Sequence, residues 1–307
     1  MSLIVTGTIG IDSVSTPDGG HAEGVLGGSC SYFAAAAALF TREPVRVVGV
    51  VGDDFPATMH DTLRSIRRID LAGLEVRKGS RTFRWGGRYR DNMDQRDTLF
   101  TDLNVVGEEP PKVPAAFKDS TVVFLANSHP AVQLGLLESL PKRALAVADT
   151  MDLWINVARD DLSRLLSRVD GLVLNYDEAQ LLTGKRNTVA AARAVTALGP
   201  KFVVVKKGEH GCLFVHPAGV GALPAYPAET VTDPTGAGDA FAGGLMGTFE
   251  RLGADSWKDP GTFRTALANG TIAASFTIES FSLARIARVT GTEVTARASE
   301  YAAMIRV

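Results

Sequence analysis

Short, uninterrupted apolar runs rich in β-branched residues recur along this chain, and amphipathic stretches separate them. Residues 3–5, 45–51, 121–125, 145–148, 171–174 and 202–205 are such runs. A strand covered by helices on both faces needs apolar side chains at consecutive positions, whereas a strand with one wet face alternates. The helical pattern occupies residues 29–40, 55–67, 131–140, 155–168 and 189–198. This βαβα alternation predicts an α/β, doubly wound, mostly parallel sheet with right-handed crossovers. Beyond residue 233 the chain turns helical, with segments expected at 237–251, 262–276, 283–288 and 292–305.

Two segments break the alternation. Residues 13–26 are too polar and glycine-rich for a helix, and 81–104 read as two strands, 82–89 and 98–103, around a polar turn at 90–97. Strand insertions in a Rossmann-like chain predict a small β-sheet beside the main domain. It is either a lid over a site at the strand ends or a surface hairpin without a chemical role. No repeat or low-complexity linker divides the chain, so residues 1–307 are expected to form one domain with lid segments at about 13–26 and 81–104. Side chains alternate along a strand, which places Phe83, Trp85 and Gly87 on one lid face and Arg84, Gly86 and Arg88 on the other. The aromatic face would stack on a sugar or nucleobase, or be buried between two lids in a homodimer.

Composition excludes several classes. The net charge is -2, and no segment concentrates the basic residues that nucleic acid binding requires. Cys30 and Cys212 are the two cysteines, far apart in apolar settings, which argues against a disulfide framework or a structural zinc site. No apolar run is long enough to cross a bilayer, and the first residues lack a signal-peptide pattern. A soluble, cytoplasmic protein is expected.

The most informative stretch is Asp233-Pro234-Thr235-Gly236-Ala237-Gly238-Asp239, which precedes an apolar helical run. Glycines at 236 and 238 let backbone approach an anion. Amide groups at a helix start, aided by the helix dipole, suit a transferring phosphoryl group. Asp239 in the first turn, kept ionised by those amides, is placed to accept the proton of an attacking hydroxyl. The plainer alternative is an N-cap aspartate after a glycine turn.

This stretch, continuing through Gly244, resembles the C-terminal signature of the ribokinase-like (PfkB) sugar kinases. Further landmarks follow in the family's order: Gly10-Ile11-Asp12, Gly27-Gly28, Val51 to Asp54, Asn175 to Glu178 with Leu182 to Gly184, and Lys206 to Gly211. The resemblance spans nearly the whole chain. It implies the ribokinase fold with a β-lid, ATP and Mg²⁺ as cofactors, and phosphoryl transfer to a small-molecule hydroxyl. Asp239 would be the base, and Gly236, Ala237 and Gly238 the anion hole.

By the same resemblance Asp12, Gly27, Gly28 and Tyr32 lie at the acceptor, where Asp12 alone reads as a turn residue and Ser29 as the cap of the first helix. Asn175 and Glu178 would organise Mg²⁺ through its waters, although Glu178 alone reads as an exposed carboxylate in a helix's first turn. Lys206, Gly208 and Gly211 would border ATP while forming a hairpin turn, and Asn269 would meet the adenine or ribose. Asp233 and Thr235 would help hold a monovalent cation, potassium. The family's later glycine in that site is replaced by Glu279-Ser280-Phe281-Ser282, which leaves potassium open.

Tyr32 stands where many family sugar kinases have Asn, so a simple ribokinase assignment does not follow. Three functions stay open: a sugar or polyol kinase, a nucleoside kinase of the same family, and a non-catalytic sugar- or nucleotide-binding sensor. A dinucleotide-dependent oxidoreductase is excluded, since the first βα turn, Gly7-Thr8-Ile9-Gly10, lacks GxGxxG, and the P-loop GxxxxGK[ST] is absent too. His129 and His210 have no partner at ligand spacing and read as ordinary polar residues.

Overall fold

The computed structural model describes residues 1–306. Nine strands form the main sheet: β1 (Leu3–Thr6), β4 (Val45–Gly52), β5 (Ile69–Arg77), β8 (Val122–Leu125), β9 (Leu145–Asp149), β10 (Gly171–Asn175), β11 (Phe202–Lys206), β12 (Cys212–His216) and β13 (Gly219–Leu223). Their order is β13-β12-β11-β10-β9-β8-β1-β4-β5. All pairs are parallel except β11–β12 and β12–β13.

The continuous apolar runs are explained by two cores. Val122 and Phe124 of β8 face one core, with helices α1 (Ser29–Ala37), α2 (Ala57–Ser65), α8 (Ala237–Leu252) and α9 (Pro260–Thr277). Val123 and Leu125 face the other, with α3 (Pro130–Glu138), α5 (Arg159–Leu166), α6 (Tyr176–Thr183) and α7 (Thr188–Thr196). Two further helices are α4 (Asp152–Val157) and α10 (Gly291–Met304).

From β1 the chain proceeds outward to β4 and β5, then returns to β8 and builds the opposite half. The direction of winding therefore reverses between β1 and β8. Crevices at the carboxyl ends of strands beside such a reversal are where open α/β sheets bind ligands.

A second sheet, ordered β3-β2-β6-β7, comprises β2 (Gly10–Ser15), β3 (His21–Gly27), β6 (Phe83–Tyr89) and β7 (Arg96–Asp102). The two inserted segments thus pair with each other, through the parallel β2–β6 contact. Asp54 fastens this sheet to the main domain. Its Oδ1 accepts the Thr82 N–H at 2.6 Å and the Thr82 hydroxyl at 2.7 Å, and its Oδ2 pairs with Arg84 at 2.9 Å.

Two expected helices need correction, and two strands were not foreseen. Residues 283–288 form no α-helix: Ser282 has φ 57°, its hydroxyl donates to Leu26 O, and only the 3₁₀ turn Ile286–Arg288 follows. The helix expected at 155–168 is broken at Ala158 (φ -133°, ψ 38°) into α4 and α5. Strand β5 is interrupted by Asp70, Gly73 and Glu75, and β13 begins at the loop glycine Gly219, so neither shows an apolar run.

The aromatic lid face makes contacts within the chain. Trp85 pairs with Asp12 in the β2–β6 register, Phe83 is buried over Gly10, and Tyr89 reaches Thr235.

Candidate active site

Asp149, Asn175 and Lys206 end three neighbouring strands, with Asn175 opposite Lys206 and Asp149 opposite Val173. Helix α8 starts beside them. Its N-cap is Gly236, at φ 76°, so Asp239 is the third helical residue rather than the cap. The Ala237 N–H bonds back to Pro234 O at 3.2 Å, whereas no acceptor among the described residues takes the N–H of Gly236 or Gly238. Of the three residues expected to form the anion hole, Gly236 and Gly238 therefore offer the open donors.

Both glycines are required by their neighbours. A β-carbon at 236 would meet the Tyr32 ring at 2.3 Å, and one at 238 would meet the Lys206 amine at 2.6 Å. The Lys206 amine thus lies against the first turn of α8. Burial raises the Asp239 carboxyl above its ordinary range, and Lys206, Arg96 and its own backbone amide oppose that rise. Helix amides alone do not set its charge, contrary to the simple sequence argument; burial dominates.

The acceptor side is built from β2, β3 and the start of α1. Asp12 is 3% exposed, and its Oδ1 is buried without a partner. Burial pushes it up to about 7, with a Gly28 backbone hydrogen bond opposing and Asp233 and Asp239 adding to the rise. A β-carbon at Gly27 would fall 1.9 Å from Asp12 Oδ2, so the carboxylate fills the space of a missing side chain. Gly28, at φ 89°, is the N-cap of α1, and no side chain there caps the helix. Ser29 is not the cap: its N–H donates to Thr8 Oγ1 at 3.1 Å. Tyr32 is buried, with a phenol raised first by burial and then by Asp12, Asp233 and Asp239.

Asn175 and Glu178 form a reciprocal capping box at the start of α6. Glu178 Oε2 accepts the Asn175 N–H at 2.7 Å, and Asn175 Oδ1 accepts the Glu178 N–H at 2.8 Å. Glu178 is buried, which excludes the exposed-carboxylate alternative, and burial raises its pKa against Lys206. Asp149, which the sequence reading missed, is fully buried with an unpartnered Oδ1. Burial raises it well above the usual carboxylate range; Asp239 adds to the rise and Lys206 opposes it. Its signal was a lone acid closing an apolar strand. These hard oxygen donors fit magnesium, which takes few protein ligands and keeps waters and phosphates. Such an ion needs no enclosing acidic cluster, and none of three or more residues exists among the described residues.

Other expected residues are placed as follows. Asp233 Oδ1 accepts the Thr235 N–H at 2.9 Å, while its buried Oδ2 has no partner and remains able to meet a monovalent cation. The Glu279 carboxylate is committed to Arg285 and Arg297 at 2.7 and 2.6 Å, but its carbonyl lies at the Thr232 hydroxyl. Gly208 and Gly211 shape the expected β11–β12 turn, with φ 54° and 81°. The Asn269 amide donates one N–H to Thr248 between α9 and α8, which leaves its second N–H and its carbonyl oxygen unengaged by that contact.

A cavity of about 280 Å³ opens at the winding reversal, lined by Gly7, Val106, Ser128, His129 and Trp154 among others. The His129 and Trp154 rings meet edge-on at 5.1 Å, and Trp154 donates to Asn127 Oδ1 at 2.9 Å. Asn127 O is 3.5 Å from the Ser29 hydroxyl, which joins this cavity to the di-glycine wall. His129 also caps α3, its Nδ1 accepting the Ala131 N–H at 3.2 Å.

The family model for the pfkB carbohydrate kinases matches residues 9–287. A cytidine kinase of Thermococcus kodakarensis is 31% identical over 255 residues, covering 82% of this chain and 89% of that protein. A fructokinase of Klebsiella pneumoniae is 35% identical over 98 residues, 31% of this chain and 32% of that protein. The ribokinase of Giardia lamblia has a TM-score of 0.79 at 19% identity, covering 98% of this chain and 99% of that one. A ribokinase II from E. coli in complex with ATP and Mg²⁺ gives 0.78 at 18%, covering 97% and 99%. The chain belongs to the pfkB family of carbohydrate kinases and is a phosphotransferase with an alcohol acceptor.

Proposed function

We propose that this kinase transfers the γ-phosphoryl group of ATP to the primary hydroxyl of a nucleoside. The observation that carries this reading is the cavity beside the di-glycine wall, where His129 and Trp154 offer ring surfaces to a planar base. A free sugar or polyol would engage Asp12, Gly27 and Gly28 and leave that cavity unused. The cytidine kinase likeness, which covers most of both chains, agrees with this choice.

In this mechanism Asp12 accepts hydrogen bonds from acceptor hydroxyls. Asp239 orients the attacking hydroxyl and takes its proton. The open amides of Gly236 and Gly238, with Lys206 beneath, balance the charge that develops on the phosphoryl oxygens. Glu178 and Asp149 would hold Mg²⁺ through its waters, and the ion supplies charge neutralisation across the phosphates. Asp233 and Thr235 would hold potassium where a monovalent cation is used. The inward aromatic face, closed over the site, excludes water. Two such lids would pair through the opposite face, where Phe100 is 40% exposed above Gly86; sedimentation of a Phe100→Glu variant tests that homodimer.

An ADP-release screen over nucleosides, sugars, polyols and sugar phosphates tests the acceptor. Nucleosides should give kcat/KM at least about tenfold above any free sugar, the difference of one well-filled pocket. A free sugar turning over faster than every nucleoside would overturn the reading.

A further inference from the structure

Thr232 and Asp233, which lead into the loop carrying Gly236 and Gly238, are held by the turn that follows α9. The Ile278 carbonyl accepts the N–H of Thr232 at 2.8 Å and of Asp233 at 3.3 Å, and the Glu279 carbonyl accepts the Thr232 hydroxyl at 3.1 Å. Asp233 Oδ1 then takes the Thr235 N–H at 2.9 Å, one residue before the open Gly236 amide. The placement of Glu279 therefore sets where the loop begins.

Glu279 is gripped by charges from the C-terminal end of the chain. Its Oε1 accepts from Arg297 of α10 at 2.6 Å and its Oε2 from Arg285 at 2.7 Å, so both carboxylate oxygens are fixed. Arg285 reaches on to Glu293 at 2.7 Å, and Glu293 closes a capping box with Thr290 at the start of α10. Both guanidiniums lie over the buried Phe276 ring, Arg297 at 3.7 Å and Arg285 at 5.0 Å from its centre. Arg297 also donates to the Ser275 hydroxyl at 3.1 Å and lies over Tyr226 at 5.0 Å. Tyr226 donates to Glu300, and Tyr301 to Pro224 O, so α10 holds the stretch ahead of Thr232 as well. Isolated surface ion pairs contribute little, but this one is a network of four charges, and the Arg297 side chain is only 17% exposed. The family match ends at residue 287, so α10 and its half of the clamp lie beyond it.

We propose that Arg297 and Glu279 are positioning residues for phosphoryl transfer: through their ion pair, α10 fixes the turn that holds the Gly236 and Gly238 amides in place. The Glu279 carboxylate acts through its own main chain. Releasing it lets Thr232 and Asp233 shift, and donors aimed at a developing charge lose their effect steeply when misplaced. The proposal rests on the reading of those amides as phosphate donors, but not on which acceptor is used.

The test compares the wild type with Glu279→Gln, which is close to isosteric, and with Arg297→Ala and Arg297→Lys, each assayed below its melting transition. With any acceptor that turns over, kcat should fall about tenfold in Glu279→Gln and Arg297→Ala, while acceptor KM stays within about twofold. Arg297→Lys keeps the charge but loses the flat stack on Phe276, and it should recover part of kcat. Glu279→Gln combined with Arg297→Ala should lose little more than the worse single variant, because the two act as one unit. Hydrogen exchange of the nucleotide-free protein reads the positioning without turnover: amides of residues 232–239 should exchange about tenfold faster in Glu279→Gln. Faster exchange confined to α10, or a lowered melting temperature with kcat unchanged, would make the clamp a fastening for the helix alone and overturn the proposal. Faster exchange at 232–239 with kcat untouched by Gly236→Ala would support the clamp while removing the phosphate role of the amides, so the two readings fail separately.

Discussion

The ring of Tyr32 lies flat against Gly236, with three ring atoms 2.3 to 2.5 Å from where a β-carbon of residue 236 would stand. One residue of α1 thereby dictates the backbone of the phosphate loop. Tyr32 was expected to be a substrate contact lacking the usual amide, but its closest service is to hold the loop at φ 76°.

Gly236→Ala should lower kcat on the order of a hundredfold, because the loop must shift its open amides to admit the methyl group. The left-handed backbone adds a cost of roughly 1–2 kcal/mol that no neighbour can relieve. Tyr32→Ala combined with Gly236→Ala should lose less than the sum of the two single variants, since Tyr32→Ala removes the ring that the new methyl group would strike. Strictly additive losses in kcat and melting temperature would argue against the contact.

Asp239→Asn should retain the fold and nucleotide affinity while kcat falls about a hundredfold or more, as expected for loss of a general base. Because burial raises this carboxyl, the wild-type kcat should increase with pH as the base becomes ionised. Circular dichroism, nucleotide calorimetry and steady-state assays together check the claim. Near-normal turnover would remove Asp239 from the role.

Asp12 gives the clearest pH dependence. Its folded pKa of about 7 lies above the unfolded carboxylate value of about 3.9. The folded protein holds the extra proton between these values, so this group's contribution to stability falls as pH rises through the window and levels off above about 7. Asp12→Asn should therefore raise the melting temperature more near about pH 8 than near about pH 5. The same variant should raise acceptor KM, because it removes the carboxylate that meets acceptor hydroxyls. A stabilisation independent of pH would contradict the assignment.

Asp149→Asn should increase the Mg²⁺ concentration needed for half-maximal activity by about tenfold, and Glu178→Gln should do so similarly. Manganese titration followed by electron paramagnetic resonance, in the presence of ATP, reads the same site without turnover. An unchanged titration in both variants would remove these residues from metal binding.

Trp154→Ala should raise nucleoside KM by about tenfold and leave kcat/KM for a free sugar unchanged, since only the base would lose its ring surface. A parallel loss for both acceptor types would mean that the indole serves the fold rather than the base.

The fold was legible where physics writes a local signal. Apolar runs such as 121–125 marked buried strands because both faces are covered, and Asp233 to Asp239 marked the helix start by its glycines. The signal failed where tertiary contacts override it, as at Ser282, whose hydrogen bond to Leu26 O holds a left-handed turn in place of a helix. Site residues followed the same division. Asp12 and Asp239 sit in recognisable strings, whereas Asp149 is placed by neighbours that register brings close.

The interlocked pair of Asp12 and Gly27 has a consequence for how such an enzyme diversifies. With the carboxylate occupying the volume of an absent side chain, position 27 can accept no side chain while Asp12 stays in place. The wall proposed to read acceptor hydroxyls is therefore closed to stepwise drift at residue 27. Changes of acceptor must enter from the far side, through Val106, His129 and Trp154, where the cavity has room to be reshaped. A library confined to those three positions should yield altered acceptor preference with the phosphoryl chemistry intact, and one built on residues 12 and 27 should yield mostly inactive protein.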